Sequence, residues 1–231
     1  MKRMLFLCFI TCLFVLIGCS EQPSEKVLRY QENNEIIDKE KDEIIGEVSD
    51  TIYDTIDRSN AEAEEIIISP VLKDMPDIIP KEGRYSIAPL WSEVMAPQAG
   101  RVLVYDQDNV LLVSEVFDSL YGVQSVTVDL NGSHSVHLDG INEAIITPVD
   151  TQFSNQLSTG IWEVGKDIEA GEYSVYPPEY GFGDLHVYEE GKPPRVFEFL
   201  DVSPESMVDI QLIEGQKLRV SGLSLLQFEL K

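Results

Sequence analysis

The residues Gly83-Arg84-Tyr85-Ser86-Ile87 recur in the chain as Gly171-Glu172-Tyr173-Ser174-Val175, and a proline follows shortly after each copy. Three further pairs of blocks follow in the same order, beginning at Gly100 and Gly183, at Glu115 and Glu198, and at Val136 and Leu218. Four ordered blocks at nearly constant offsets indicate an internal repeat rather than chance similarity. The sequence therefore predicts two tandem copies of one unit, over residues 81–150 and 151–231.

Within each copy, apolar and polar residues alternate along short segments, as they do at Val126, Val128 and Leu130. This period of two is typical of half-buried strands. Asn131-Gly132 lies between two such segments and has the composition of a hairpin turn. We therefore expect an all-β chain whose two repeats each form a small β-sandwich or barrel. The pattern does not distinguish two separate domains from one fused sandwich.

Residues 19–80 have a different composition, since residues 20–80 contain a single glycine and residues 81–231 contain thirteen. Ile37, Ile44, Val48 and Ile52 follow a helical spacing among acidic and basic residues. This pattern predicts an amphipathic helix over about residues 24–57, which would be about 50 Å long. A disordered acidic tether is the alternative. The three prolines at positions 70, 76 and 80 indicate a linker after this segment.

The amino terminus has the features of a sorting signal. Lys2 and Arg3 precede an apolar run over residues 4–17, which is shorter than the roughly 20 residues that a membrane-spanning helix needs. We therefore interpret residues 1–18 as a cleaved signal peptide. The stretch Leu16-Ile17-Gly18-Cys19 resembles a bacterial lipobox. The resemblance implies that Cys19 carries lipid chains such as palmitate and is held by them at the extracytoplasmic face of the cell membrane. An ordinary signal peptide that happens to end near a cysteine is the alternative.

The cysteine count and the charge exclude several kinds of function. Cys8 and Cys12 lie inside the expected signal peptide and Cys19 would be acylated, so the mature chain would keep no free thiol for a disulfide, a zinc site or a nucleophile. The chain has 41 acidic and 17 basic residues, a formal net charge of −24. Such a chain is a poor partner for nucleic acid, and its charge also favours solubility.

The segment Trp162–Tyr173 resembles a signature of surface proteins and lipoprotein-like proteins of Gram-positive bacteria, which reads approximately aromatic-x-Val-Gly-Lys-Asp-Ile-x-Ala-Gly-x-Tyr. The resemblance implies a β-rich extracytoplasmic module and transfers no catalytic residue. Glu169 stands where a proline is usual, and the first repeat lacks the Val-Gly-Lys-Asp part. From the residues alone we expect a corner between strands, in which Asp167 caps its own turn. A binding role for Lys166 and Asp167 is the alternative.

Residues suited to catalysis or metal binding show no convincing pattern. The counterparts of His137 and His186 in the other repeat are Arg219 and Leu103, and His134 and His137 would point to opposite faces of a strand. Residues 106–109 alternate oxygen-bearing side chains, but without the glycine and distal glutamate of a calcium loop they predict a turn. We therefore predict no catalytic residue, no metal site and no cofactor.

Aromatic residues in two loops are the remaining candidates for contact with a ligand or partner. They are Trp91 in the first repeat and Tyr176, Tyr180 and Phe182 in the equivalent loop of the second. Rigid rings give contact area at low entropic cost, but core packing or loop anchoring is the interpretation that we favour for them.

The sequence thus favours a non-enzymatic binding or structural module at the cell surface, with an envelope polymer or a protein as its partner. One alternative is an enzyme that cleaves envelope glycans with paired carboxylates, which an acidic chain always offers. Another is an accessory subunit that contacts a membrane complex through the helical tether.

Overall fold

The computed structural model describes residues 48–72, 74–91, 99–118, 123–178, 181–199 and 207–231. The expected signal peptide, Cys19, most of the expected helix and Tyr180 lie outside these residues. The described residues belong to one compact unit of the chain. Among them, no helix is long and apolar enough to cross a membrane.

The prediction of an all-β fold is confirmed, because the described part consists of strands joined by turns and one short 3₁₀ helix, Asp50–Tyr53. The strands are β1 (Ile66–Ile68), β2 (Gly83–Pro89), β3 (Ala99–Tyr105), β4 (Leu111–Asp118), β5 (Val126–Leu130), β6 (Ser135–Asp139), β7 (Ala144–Pro148), β8 (Gln156–Leu157), β9 (Gly160–Glu163), β10 (Gly171–Tyr176), β11 (Gly183–Tyr188), β12 (Arg195–Phe199), β13 (Val208–Leu212), β14 (Lys217–Ser221) and β15 (Leu226–Leu230).

The two halves of the body share one pairing scheme. In the first half β2 pairs with β5 and β7, and in the second half β10 pairs with β13 and β15 in the same antiparallel sense. Likewise β3 pairs with β4 and β6, as β11 pairs with β12 and β14. Even the registers correspond, since Tyr85 lies opposite Val128 and Tyr173 lies opposite Ile210.

The tyrosines of the repeated pentapeptide occupy matching environments. Both are almost fully buried. Tyr85 Oη donates a hydrogen bond to the carbonyl of Lys81 at 2.9 Å, and Tyr173 Oη donates one to the carbonyl of Glu169 at 3.0 Å. Each ring therefore enters a core while its hydroxyl fixes the chain four residues upstream, which satisfies the polar group of a buried aromatic residue.

The halves are fused through one continuous sheet of eight strands, in the order β1-β7-β2-β5-β9-β14-β11-β12. The join lies between β5 and β9, where Thr127 and Gly160 form a parallel pair. Gly160 has a φ of +143°, and a Cβ on it would lie 2.1 Å from the carbonyl oxygen of Thr127. The join therefore requires glycine at this position.

Two smaller sheets cover this large sheet, with orders β4-β3-β6 and β13-β10-β15-β8. They enclose two apolar cores, one centred on Tyr85, Val102 and Phe117 and the other on Tyr173, Leu185 and Phe228. Ile161 and Tyr188 belong to the second half in sequence but pack in the first core. The face of β9 and β11 that carries these two side chains is therefore covered by the first half.

The described part of the expected tether differs from the expectation, because residues 48–80 pack on the β body. The expected helix continues to about residue 57, but within residues 48–57 only the four residues of the 3₁₀ helix are helical. Ile52, Ile56 and Ile68 are buried, and β1 pairs with β7. Ile52 and Ile56 thus pack against the body although Ile56 lies outside the helix, since short segments gain their stability from tertiary packing rather than from propensity.

Candidate functional site

The corner predicted at Val164–Ile168 is a tight turn held by its own backbone. Gly165 N donates to the carbonyl of Ile168 at 2.7 Å, and Asp167 N donates to the carbonyl of Glu163 at 2.9 Å. Asp167 Oδ2 accepts a hydrogen bond from Glu163 N at 2.7 Å, so the carboxylate caps the turn as expected. Gly165 has a φ of +93°, which glycine adopts without steric cost.

Asp167 also belongs to a group of six charged residues between the halves, which we call the junction cluster. Its members are Arg58, Arg84, Asp129, Glu163, Asp167 and Lys217. Arg58 Nη1 lies 3.1 Å from Asp167 Oδ1 and its Nη2 lies 2.5 Å from Asp129 Oδ2. Arg84 Nη1 donates to Asp129 Oδ1 at 2.9 Å. Three cations thus balance three carboxylates.

Burial and pairing act against each other in this cluster. Burial raises the pKa of the Asp167 carboxyl, and the guanidiniums of Arg84 and Arg58 oppose that rise. Burial alone would lower the pKa of Arg58, but Asp129 and Asp167 raise it above its ordinary value. Buried charges are tolerated only when they are paired in this way. The guanidinium of Arg84 also lies 4.8 Å from the ring centroid of Trp162, which adds a cation–π contact.

The junction cluster joins parts of the chain, and its side chains are mostly buried, from 0 % exposed at Asp167 to 14 % at Glu163. Arg84 and Asp129 come from the first half, whereas Glu163 and Asp167 come from the second. Asp167 has no exposed surface. Lys166 is more exposed and pairs with Glu163 at 3.1 Å. The contacts of Asp167 therefore fit a structural role, and they disfavour the alternative in which it binds a ligand directly.

A cavity lies at a second contact between the halves, and we call it the Glu115 cavity. Its volume is about 340 Å³, and its lining residues are Ser114, Glu115, Val116, Val123, Ser221 and Gly222. The first four come from the first half, and the last two are the final residue of β14 and the glycine after it, in the second half. Ligand pockets of small molecules begin at about this size. Such pockets also occur preferentially at interfaces between domains, and the Glu115 cavity lies at a contact between the two halves.

Glu115 is the charged residue of this cavity and is only 5 % exposed. Its Oε2 accepts a hydrogen bond from Gly222 N at 3.1 Å, and the Ser221 side chain also bonds to it. Burial raises the pKa of the Glu115 carboxyl, while these two hydrogen bonds and the charge of Arg219 oppose the rise. Glu115 thus ties β4 to the end of β14, and these two hydrogen bonds leave further acceptor positions on its carboxylate, which has about four.

The outer face of β11 and β14 beside Glu115 carries further ionisable groups. Burial raises the pKa of Asp184, and the neighbouring Glu198 adds to the rise. Burial and the charge of Arg219 lower the pKa of His186 to about 4, so the imidazole is neutral near pH 7. Tyr188 Oη and His186 Nδ1 are 3.3 Å apart. Arg219 Nε is buried without a hydrogen-bond partner among the described residues.

The aromatic residues singled out from the sequence do not converge on one site. Trp91 is half-buried against the first core, and its Nε1 donates to Gln124 Oε1 at 3.1 Å. Tyr176 is half-buried at the end of β10, whereas Phe182 is 55 % exposed. Tyr180 lies outside the described residues. Trp91 therefore anchors its loop, and Phe182 presents an accessible ring.

The histidines and the acidic turn have structural environments. His134 is fully buried, and its Nε2 lies 3.0 Å from Thr51 Oγ1. His137 Nδ1 lies 2.8 Å from Asp77 Oδ1. Asp106 Oδ1 accepts from the backbone N–H groups of Asp108 and Val110 at 2.8 Å each, which is the turn predicted there. In the described part of the chain, no group of three or more His, Cys, Asp or Glu residues is placed to hold a metal ion.

Sequence reasoning missed Glu115 and Arg58. A signal for Glu115 was present, because it occupies the same face of β4 as Val113 and Phe117, where alternation predicts an apolar residue. Arg58 carries no comparable signal, since it follows the 3₁₀ helix in an irregular segment. In comparisons with known proteins, no family model matches the chain and no curated sequence matches it.

Proposed function

We propose that this chain is an extracytoplasmic lipoprotein, held in the membrane by a lipidated Cys19, whose β body is a non-enzymatic binding module. The observation that carries the binding role is the Glu115 cavity, which both halves build around one buried carboxyl group. The resemblance of Leu16–Cys19 to a lipobox supports the anchor. The resemblance of Trp162–Tyr173 to a signature of Gram-positive surface proteins supports the same location.

The ionisable groups beside the cavity favour binding over hydrolysis of a glycan. Glycosidases need one carboxyl group that stays protonated and a second that stays ionised. Burial raises the pKa of both Glu115 and Asp184, so burial does not set one of the two apart as the ionised group. Glu115 is also held by Gly222 N, which restricts its movement toward a substrate.

Metabolic labelling with radioactive palmitate tests the anchor in a Gram-positive host that expresses the full chain. We expect label in the wild-type protein and none after Cys19→Ala, because only this thiol would receive the lipid. Cys12→Ala is the matched control, since it removes a cysteine from the expected signal peptide, and it should retain the label. Equal labelling of Cys19→Ala and the wild type would refute the anchoring site.

A further inference from the structure

The Glu115 cavity has a chemical character that narrows its ligand. Glu115 lines the cavity, Asp184 lies close enough to raise the pKa of Glu115, and Arg219 is the neighbouring cation. The chain as a whole carries a formal charge of −24. The local balance of charged groups and the electrostatic field of the whole chain therefore both attract a cation and repel an anion.

The lining of the cavity also indicates the size and shape of such a cation. Glu115 keeps acceptor capacity beyond its bonds to Gly222 and Ser221. The hydroxyl groups of Ser114 and Ser221 can pair with polar atoms of a ligand, and Val116 and Val123 form an apolar wall. A guanidinium pairs best with both oxygens of a carboxylate, but Gly222 N already occupies Glu115 Oε2, so a compact ammonium group with three N–H donors suits Glu115 better.

We propose that the Glu115 cavity binds a primary ammonium group carried on a small sugar or aliphatic skeleton. The ammonium group donates a hydrogen bond to Glu115, and the carbon skeleton packs against Val116 and Val123. This inference rests on the proposed binding role and specifies its ligand class. A primary ammonium group in a cell envelope can belong to an amino sugar or to a lysine side chain, and the test below separates the two.

The test measures binding of four small probes to the full chain in non-ionic detergent, followed through the amide resonance of Gly222. Glucosamine and Nα-acetyl-lysine amide carry the ammonium group on the two skeletons. N-acetylglucosamine and Nα-acetyl-norleucine amide are their neutral counterparts. We expect saturable shifts at millimolar concentration with at least one amine and none with either neutral probe, and the stronger amine identifies the source.

Glu115→Gln tests the role of the charge, because the amide oxygen can still accept from Gly222 N. We expect the affinity for the amine to fall by about tenfold or more, since a buried charge pair loses one partner. Glu229→Gln is the matched control on β15, outside the cavity, and should leave the affinity unchanged. Lowering the pH should also weaken binding as Glu115 becomes protonated, with Asp184 and Arg219 as the neighbouring charges that modulate the response.

A second pair of variants keeps the test decisive if Glu115→Gln does not fold. Val116 lines the cavity and is exposed, so substitutions there leave the core intact. Val116→Lys should weaken amine binding by placing a competing ammonium group at the cavity, whereas Ile213→Lys, at a similarly exposed apolar residue outside the cavity, should not. Binding of the neutral probes as tightly as the amines, or no saturable shift with either amine, would overturn the proposal. Neither result would affect the palmitate experiment, so failure of the ligand assignment and failure of the anchor are distinguishable.

Discussion

At the scale of single residues, charged side chains hold the two halves together from inside. Arg84 is 1 % exposed and Asp167 has no exposed surface, which places the pair among the most buried residues of the body. Removing such groups from water costs several kcal/mol for each ion, and their mutual attraction only offsets this cost. The junction cluster therefore contributes more to the specific arrangement of the halves than to net stability.

Removal of one member of the junction cluster should be far more damaging than removal of an exposed carboxylate. Asp167→Ala leaves the three cations of the junction cluster with only Asp129 and Glu163 to balance them, and we expect the free energy of unfolding to fall by about 3–5 kcal/mol. Asp209→Ala is the control, because Asp209 pairs with Lys231 at the surface. Urea unfolding of both variants measures the difference, and similar losses in the two would argue against the role given to Asp167.

At the scale of strands, the join between β5 and β9 pairs two strand edges, and each of these edges has an equivalent in the other repeat. Ile78 pairs with Val136 as Trp162 pairs with Leu218, so the segment around Ile78 is the first-half counterpart of β9. Pro76 stands two residues before Ile78, where Gly160 stands before Trp162. Proline lacks the backbone N–H group that an edge strand uses for pairing, so Pro76 disfavours pairing at the segment around Ile78. The other free edge is β13, the counterpart of β5, and it carries the exposed Asp209. These residues oppose further pairing at the free edges.

The close approach of the two strands at the join predicts a position-specific effect of a single methyl group. Gly160→Ala would place a Cβ against the Thr127 carbonyl oxygen, and we expect a loss of about 3 kcal/mol with a transition that separates into two steps. Gly215→Ala is the matched control, because Gly215 has a φ of +85° but open space around its Cβ position.

Backbone strain alone should cost Gly215→Ala about 1–2 kcal/mol and leave one transition. Denaturation followed by tryptophan fluorescence reports on both halves, since Trp91 packs on the first core and Trp162 on the second. A Gly160→Ala transition as sharp as that of the control would count against the join as the point of fusion.

At the scale of the whole molecule, fusion of the repeats changes the surroundings of equivalent residues. His186 and Leu103 occupy the same repeat position, and Arg219 corresponds to His137. His186 is 4 % exposed because the first half covers β11 and β14, whereas Leu103 and His137 lie on the partly exposed face of β3 and β6. The head-to-tail arrangement therefore buries the position of His186 in the second copy and leaves the equivalent position of Leu103 partly exposed in the first.

This burial should make stability depend on pH through His186. Its pKa falls from 6.5 to about 4 on folding, so the unfolded chain binds the proton more tightly. The stability from a neutral His186 is fully present above pH 6.5 and is lost as the pH falls toward 4. The loss amounts to at most about 3 kcal/mol. Glu115, Asp167 and Asp184 act in the opposite direction, because their pKa values are raised.

The difference between the wild type and His186→Leu isolates this contribution. The variant adopts the residue of the repeat counterpart and cannot titrate, so it should lose less stability than the wild type between pH 7 and pH 4. Chemical denaturation at a series of pH values gives the comparison. Parallel curves for the two proteins would show that His186 does not carry the effect.

The sequence alone determined the strand pattern, the repeat and the corner at Val164–Ile168, because alternation, glycine positions and turn residues are local signals. It also identified the residues that share a face of each strand. It could not show which faces the other half would cover, since that depends on the join between Thr127 and Gly160. For the same reason, only the tertiary structure revealed the Glu115 cavity and the junction cluster, whose members are distant in sequence and meet only when the halves pack together.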